Sequence, residues 1–375
     1  MDRLKKYIMP FVLIFLIPQV ANILSCLMMN DKQIREVPMA VYMGDDTSVT
    51  REIVKSFDNN ETFDVKYYVE NPNDIEKLMN EGEIAFGLVI PEDFTIDVKN
   101  LKSPSLMTVI DGSQLSVASF TKIASSEILM TIKAGALINL MKAKFNMSFD
   151  QAKSAAMAMD ITSRILGNPT RNYINFLLPG MMTALAQVGI AMAASAAINR
   201  EKRKTLFTYI LLKVMAYAVI GFISIMMILG VQMKFFGLPM KANWSDLLLL
   251  CGAFSLSVAS VGILFSAVFW NKVLASQVAA IYFIPSSILS GFTWPLISMP
   301  KFFQNISHIM PFTHFGDTLR DLLVKGEAGL YGKDMRVLLT IAVISFALAM
   351  GAELLREAIM KKRGGDELGT TSGGN

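Results

Sequence analysis

Apolar residues in this 375-residue chain gather into long unbroken runs instead of the short alternating ones of a soluble sheet or surface helix. A hydrocarbon layer about 30 Å thick takes about 20 apolar residues at the helical rise of 1.5 Å. Windows of that length fall at 7–29, 173–198, 207–231, 247–270, 274–292 and 337–355, so six membrane-spanning helices are expected. The first follows Asp2-Arg3-Leu4-Lys5-Lys6. It outruns the apolar core of a secretory signal, about 7–15 residues, and lacks a clear small-x-small cleavage site, so it reads as an uncleaved anchor. Pro10 and Pro18 within it, and Pro179-Gly180 and Pro285 later, are breakers that membrane helices tolerate.

Between the first and second spans the pattern changes. Strand-like runs VPMAVYM from Val37, FDVKYYV from Phe63, EIAFGLVI from Glu83 and SLMTVID from Ser105 alternate with helical stretches at about 48–57 and 73–80 and a turn opening at Pro91. That alternation predicts a mixed α/β sheet packed by helices. Thr47 or Ser48, and Asn73 or Asp74, are the expected helix caps. From about Gln114 to Leu166 the pattern becomes helical and returns the chain to the bilayer. The expected fold class is a membrane protein: an all-α six-helix transmembrane domain with an inserted extracellular α/β domain. Its divisions are 1–29 (cytoplasmic N-terminus and first span), 30–170 (insertion with long return helices), 171–356 (five spans, with an external hairpin near 293–335) and 357–375 (cytoplasmic tail).

Charge sets the direction. Residues 30–164 hold 20 acidic and 14 basic residues, so the chain's net +4 comes from a strongly basic remainder. With six spans both termini share a side; placing them inside gives twelve Lys and Arg to the inner segments against eight in the outer connections from the second span onward. Both termini are therefore expected in the cytoplasm of a cell, bacterial in type, whose plasma membrane the chain crosses several times. Lys213, inside a span, is expected to snorkel to the inner face, the alternative being a substrate-facing charge. A basic apolar body suits anionic membrane lipids, and no nucleic-acid partner is expected. Cys26 and Cys251 lie in apolar runs and offer no disulfide framework.

Candidate chemistry is sparse. The insertion has no His or Cys, which excludes thiol and imidazole-triad catalysis there, and Asp45-Asp46, Glu92-Asp93 and Asp111-Gly112-Ser113 sit at turns. Gly326 with Gly332-Lys333 is one residue too widely spaced for a phosphate-binding loop, and Asp334 stands where Ser or Thr would hold magnesium. No catalytic residue, metal ligand or cofactor is expected in this chain; ATP and Mg would belong to a partner subunit. His308 and His314 read as interfacial, and Asp317, Arg320 and Asp321 as the solvated face of a surface helix, with the lining of an outer exit as the alternative. The basic segment Asn199-Arg200-Glu201-Lys202-Arg203-Lys204-Thr205 has two readings: a positive-inside anchor, or a short cytoplasmic helix docking on another protein.

Several stretches together resemble the ABC-2 type exporter permeases, in the branch with a large external domain after the first span. Asn168-Pro169 to Asn175-Phe176-Leu177-Leu178-Pro179-Gly180 is similar to that family's approach to its second span. Ser290-Gly291-Phe292-Thr293-Trp294-Pro295, Met299-Pro300, His308-Ile309-Met310-Pro311-Phe312-Thr313 and Leu319-Arg320 are similar to its hairpin before the last span. The resemblance implies a transporter subunit that is not itself an enzyme, pairs with itself or a related permease chain, and couples to two ABC ATPase subunits to drive a lipophilic or amphiphilic substrate outward. It places Asn199 to Thr205 at the ATPase-coupling loop, although the Gly-Thr and later Pro common there are missing. Gly291, Trp294, Pro295, Pro300 and Pro311 fall in the external hairpin. The alternative, suggested by an insertion of more than a third of the chain, is a membrane-anchored extracellular sensor or adhesion module.

Overall fold

The computed structural model describes residues 10–28, 34–100, 102–157, 168, 172–198 and 205–371. It divides into two compact units: Gln33–Arg164, and the remainder that this insertion interrupts. The second unit begins with a π-helical turn, Val12–Leu16, that runs into α1 (Ile17–Met28).

The insertion is an α/β unit. Its strands are β1 (Val37–Met43), β2 (Phe63–Val69), β3 (Phe86–Ile90) and β4 (Met107–Ile110), arranged β2-β1-β3-β4, with β1 parallel to both neighbours and β4 antiparallel to β3. Parallel neighbours need helical crossovers. These are α2 (Ser48–Asp58) between β1 and β2, and α3 (Asn73–Asn80) between β2 and β3. Alternate residues of β1 point to opposite faces: Met39 and Val41 join Ile53, Phe57, Phe63 and Phe86 on one side, while Ala40 packs with Ile75 and Ile84 on the other. α3 lies so close to β3 that a methyl group at Gly87 would overlap the Ile75 side chain.

The first two strands fall on their expected bounds; β3 starts three residues later than its apolar run, at Phe86. The turn expected at Pro91 is followed by a helix, α4 (Phe94–Lys99), and the return stretch splits into α5 (Leu115–Phe145) and α6 (Phe149–Ala156) at Asn146, whose φ is 52°. Thr47 caps α2 through a reciprocal pair with Thr50. Asn73 does not cap α3: it is the helix's first residue, and its amide donates to Asn71 Oδ1 at 3.0 Å.

The interrupted unit is helical: α7 (Tyr173–Ser195), α8 (Leu206–Phe236), α9 (Trp244–Val268), α10 (Lys272–Phe283), α11 (Ser286–Leu289), α12 (Lys301–His308), α13 (Gly316–Val324) and α14 (Tyr331–Thr371). Two 3-10 turns, Leu296–Ser298 and Pro311–His314, join the short helices of the expected hairpin. Six described helices are long and apolar enough to cross a membrane. Five of them, α7, α8, α9, α10 with α11, and α14, are the expected second to sixth spans. The remaining one is α5, whose Ala124, Ile128 and Leu129 pack on the sheet core of the insertion. Within the expected first span, Val12–Met28 is an apolar helix below that length, and residues 7–9 and 29 of that window lie outside the described residues.

Hydrogen bonds between helices show how the spans run. Ser224 of α8 bonds the Ile14 carbonyl, and Gln232, two turns later, bonds Asn22 of α1, so α1 and α8 point the same way. At one end of the unit lie Ile198, Thr205, Val268 and Arg356. Met28, Phe236, Trp244 and the 290–330 hairpin lie at the other, where the Lys241 amide bonds the Leu323 carbonyl and the Tyr331 hydroxyl bonds the Asp246 carbonyl.

Candidate functional site

The stretches that carry the family resemblance meet at one place. Phe292, 3% exposed, is wedged between helices: a methyl at Gly180 of α7 would overlap its ring, and one at Gly316 would come within 3.1 Å of it. Gly291 reaches φ 92°, a left-handed turn glycine enters without steric cost, and so swings Phe292 inward. Phe292 meets Phe312 edge-on at 5.9 Å, and Phe315 stacks on Phe254 of α9 at 3.8 Å between ring centroids. One aromatic cluster thus ties the hairpin to α7 and α9.

Among the hairpin residues singled out from sequence, Pro300 precedes α12, Pro311 opens the second 3-10 turn, Pro295 precedes the first, and Trp294 stays 52% exposed. The charged face expected to be solvated is different. Arg320 of α13 is only 22% exposed in its side chain, and its guanidinium carbon lies 4.8 Å from the ring centroids of both Phe176 and Phe292. It pairs with Asp317 at 2.6 Å; Asp321 pairs with Lys325 at 2.7 Å. Burial pushes the Asp317 carboxyl above its ordinary range, against the pull of Arg320.

Among the described residues no cluster of three metal-binding side chains occurs. His314 is buried; its Nδ1 lies 3.1 Å from Asp334 Oδ1 and its Nε2 3.0 Å from the His308 carbonyl, while Thr318 donates to the other Asp334 oxygen. The group links the hairpin to the start of α14. Asp334, the residue in the magnesium position of the rejected phosphate loop, is used in this link.

Along α7 runs a polar seam that composition alone did not reveal. Gln187, fully buried, donates to Ser286 Oγ at 2.7 Å, and Ser286 donates to the Phe283 carbonyl at 2.6 Å, next to the break at Pro285. Further along, Ser195 Oγ lies 3.1 Å from Ser276 Oγ. Polar side chains inside membrane helices are costly unless bonded across the interface. Isolated Gln and Ser in apolar runs were the available signal.

At the opposite end, Asn199, Arg200, Glu201, Lys202, Arg203 and Lys204 lie outside the described residues, and Thr205 is the N-cap of α8. Their anchorage is described. The Ile198 amide donates to Ser266 Oγ at 3.1 Å, and Ala194, Ala197, Ile210, Ile263 and Ala349 form an apolar floor. Arg356 of α14 reaches across to the end of α9: it bonds the Val268 carbonyl at 3.0 Å and Glu353 at 3.2 Å, and lies 4.5 Å from the Trp270 ring centroid. Lys213 Nζ sits over the Tyr209 ring at 5.8 Å, one turn nearer this end, in line with the expected snorkelling.

Comparison with known proteins accords with this architecture. Residues 7–350 match the model of the ABC-2 family transporter proteins. The chain is 26% identical over 271 residues to a probable multidrug ABC transporter permease, YbhS, of Escherichia coli K12, covering 69% of each. It is 22% identical over 373 residues to the linearmycin resistance permease protein LnrN of Bacillus subtilis, covering 88% of this chain and 90% of that one, and 18% identical over 304 residues to the Escherichia coli permease YbhR. No solved structure matches. A family match across nearly the whole chain, on a helical unit with five of its expected spans in place, makes this chain a multi-pass membrane permease of the ABC-2 transporter family.

Proposed function

We propose that the chain is the permease subunit of an ATP-driven exporter that moves a lipophilic or amphiphilic molecule outward, working as a dimer with separate ATPase subunits. The observation that carries this reading is the contrast between the two ends of the membrane unit. One end brackets the basic segment 199–204 with Ile198, Thr205, Val268 and Arg356 on a packed floor; the other carries the aromatic hairpin and both points where the insertion joins. Basic segments stay on the cytoplasmic side. The ATPase then docks beneath residues 199–205, and the hairpin and the α/β insertion lie outside. ATP binding acts by favouring one arrangement of the helices over another, because a ligand shifts an equilibrium only through unequal affinity for its states.

Orientation is tested by Ser56→Cys on α2 of the insertion, labelled in intact cells with a membrane-impermeant thiol reagent. Labelling without lysis is expected; labelling only after lysis reverses the topology and the direction with it. Function is tested by co-reconstitution with the cognate ATPase in vesicles. ATP-dependent movement of an amphiphilic dye that stops on deletion of 199–204 supports the reading; movement indifferent to that deletion removes the coupling assignment.

A further inference from the structure

Arg320 is the one described guanidinium with a buried donor left unpaired. Its Nη2 bonds a single oxygen of Asp317, while Nη1 is shielded from solvent and has no partner. Asp317 is three residues earlier on the same short helix and satisfies only one prong of the planar fork. The neighbouring carboxylates are spent elsewhere: Asp321 on Lys325, and Asp334 on His314 and Thr318. A guanidinium donates two parallel hydrogen bonds to an oxyanion, a geometry in which both prongs are used. The rings beside it differ in a useful way. Phe292 is buried and fixed, whereas Phe176 keeps 42% of its surface exposed, apolar area on which a hydrocarbon body can lie.

We propose that Arg320, flanked by Phe176 and Phe292, anchors an oxyanion-binding subsite that takes the phosphate headgroup of an amphiphile, with Asp317 as the internal competitor the headgroup displaces. The one-pronged Asp317 pair closes the subsite; a bidentate phosphate exchanges that pair for two hydrogen bonds and brings the ligand's apolar chain onto Phe176. As the headgroup subsite of the exported molecule it rests on the transporter reading above. Binding itself needs no ATPase, so the two stand or fall separately.

The test uses the full-length chain in nonionic maltoside micelles without ATPase, with dodecyl phosphate as probe and its 31P linewidth as readout. Saturable broadening is expected. Arg320→Gln weakens it by about 30-fold or more, and Arg320→Lys, which keeps charge but loses the fork, by about tenfold. Asp317→Asn is expected to tighten binding, an opposite sign that a merely structural role of this pair does not produce. Arg336→Gln, altering an exposed arginine bonded to the Gly332 carbonyl, is expected to leave it unchanged. Inorganic phosphate distinguishes the sources: weak competition assigns the subsite to a lipid-like headgroup, and competition equal to unlabelled dodecyl phosphate assigns it to the free anion. Equal binding by wild type and Arg320→Gln, weakening by Asp317→Asn, or competition by dodecyltrimethylammonium as strong as by dodecyl phosphate overturns the proposal.

Discussion

Ser224 Oγ donates a 2.6 Å hydrogen bond to the carbonyl of Ile14, the group that Pro18 leaves without its helical partner. In an α-helix the amide of residue 18 would bond that carbonyl, but proline has no N–H and its ring crowds the carbonyl four residues back. The chain answers by widening into the π turn Val12–Leu16, in which the Ile17 amide bonds Val12, and by borrowing a hydroxyl from α8. Gly189 of α7 completes the accommodation, since a methyl there would overlap the Leu13 carbonyl. Inside lipid no water can take up an abandoned carbonyl.

Ser224→Ala is therefore expected to destabilise the protein by about 1–2 kcal/mol, the cost of a buried acceptor left unbonded. In a Pro18→Ala background the helix supplies its own amide, and the same substitution is expected to cost less than half as much. Unfolding of the four proteins of this cycle by sodium dodecyl sulfate titration measures the coupling; equal costs in both backgrounds would show that Ser224 does not serve the proline.

At the other end of the unit, Glu353 and Arg356 form an ion pair that is almost fully buried, and Arg356 also holds the last carbonyl of α9. Removing one partner takes the pairing charge away from the other in a medium that solvates charge poorly. Arg356→Leu alone is expected to cost about 3–5 kcal/mol, and the double change Glu353→Leu with Arg356→Leu to recover much of that loss. The same unfolding titration reads both. A double variant no more stable than the single one would mean that the bond to Val268, and not the ion pair, is what Arg356 contributes.

How far the sequence discloses this structure depends on which feature is asked for. Spans announce themselves because lipid demands unbroken apolar length, and β1 is legible because Val37 to Met43 is an apolar, β-prone run bounded by polar turns. α4 was hidden behind Pro91: a six-residue helix has too few turns to show a period, and a proline before it looks like a plain turn. α5 meets the length and apolarity of a span although its first half packs on a sheet, so hydropathy alone does not separate the two uses. Arg320 reads as surface in the sequence because a nine-residue amphipathic helix gives no hint that two phenylalanines far apart in the chain close over one of its charges. That closure is tertiary, as is the pairing of Gln187 with Ser286, 99 residues away.

In the insertion, Glu83 accepts from the Tyr67 hydroxyl at 2.9 Å and from Lys66 at 3.3 Å, and these two bonds, Tyr67 first, hold its carboxyl below the ordinary range. A carboxylate held low in the folded state adds stability above its unfolded pKa and loses it as pH falls through the folded value. The group is exposed, so the effect belongs in a titration curve more than in a melting point. Tyr67→Phe is expected to move the Glu83 midpoint upward, observed by 13C NMR of carboxyl-labelled protein. A midpoint that does not move would assign the depression to Lys66 alone.

Gly180 and Phe292 offer the sharpest test of the hairpin junction. Replacing glycine by alanine inside a helix ordinarily gains about 1 kcal/mol from the restricted unfolded chain and better helix propensity. Gly252 of α9 has nothing within 4 Å of the position its methyl would take, so Gly252→Ala is expected to be neutral or stabilising. At Gly180 the methyl meets the Phe292 ring, which is itself pinned by Gly316 and Phe312 and cannot retreat. Overpacking of that kind costs about 1–3 kcal/mol, enough to reverse the sign. Gly180→Ala should then loosen the hairpin, seen as faster proteolysis between 293 and 310, and Phe292→Leu in the same chain should restore protection by shortening the obstructing ring. If Gly180→Ala is as well tolerated as Gly252→Ala, the hairpin is not seated on α7 through this contact, and the contact is not what fixes the Phe292 ring beside Arg320.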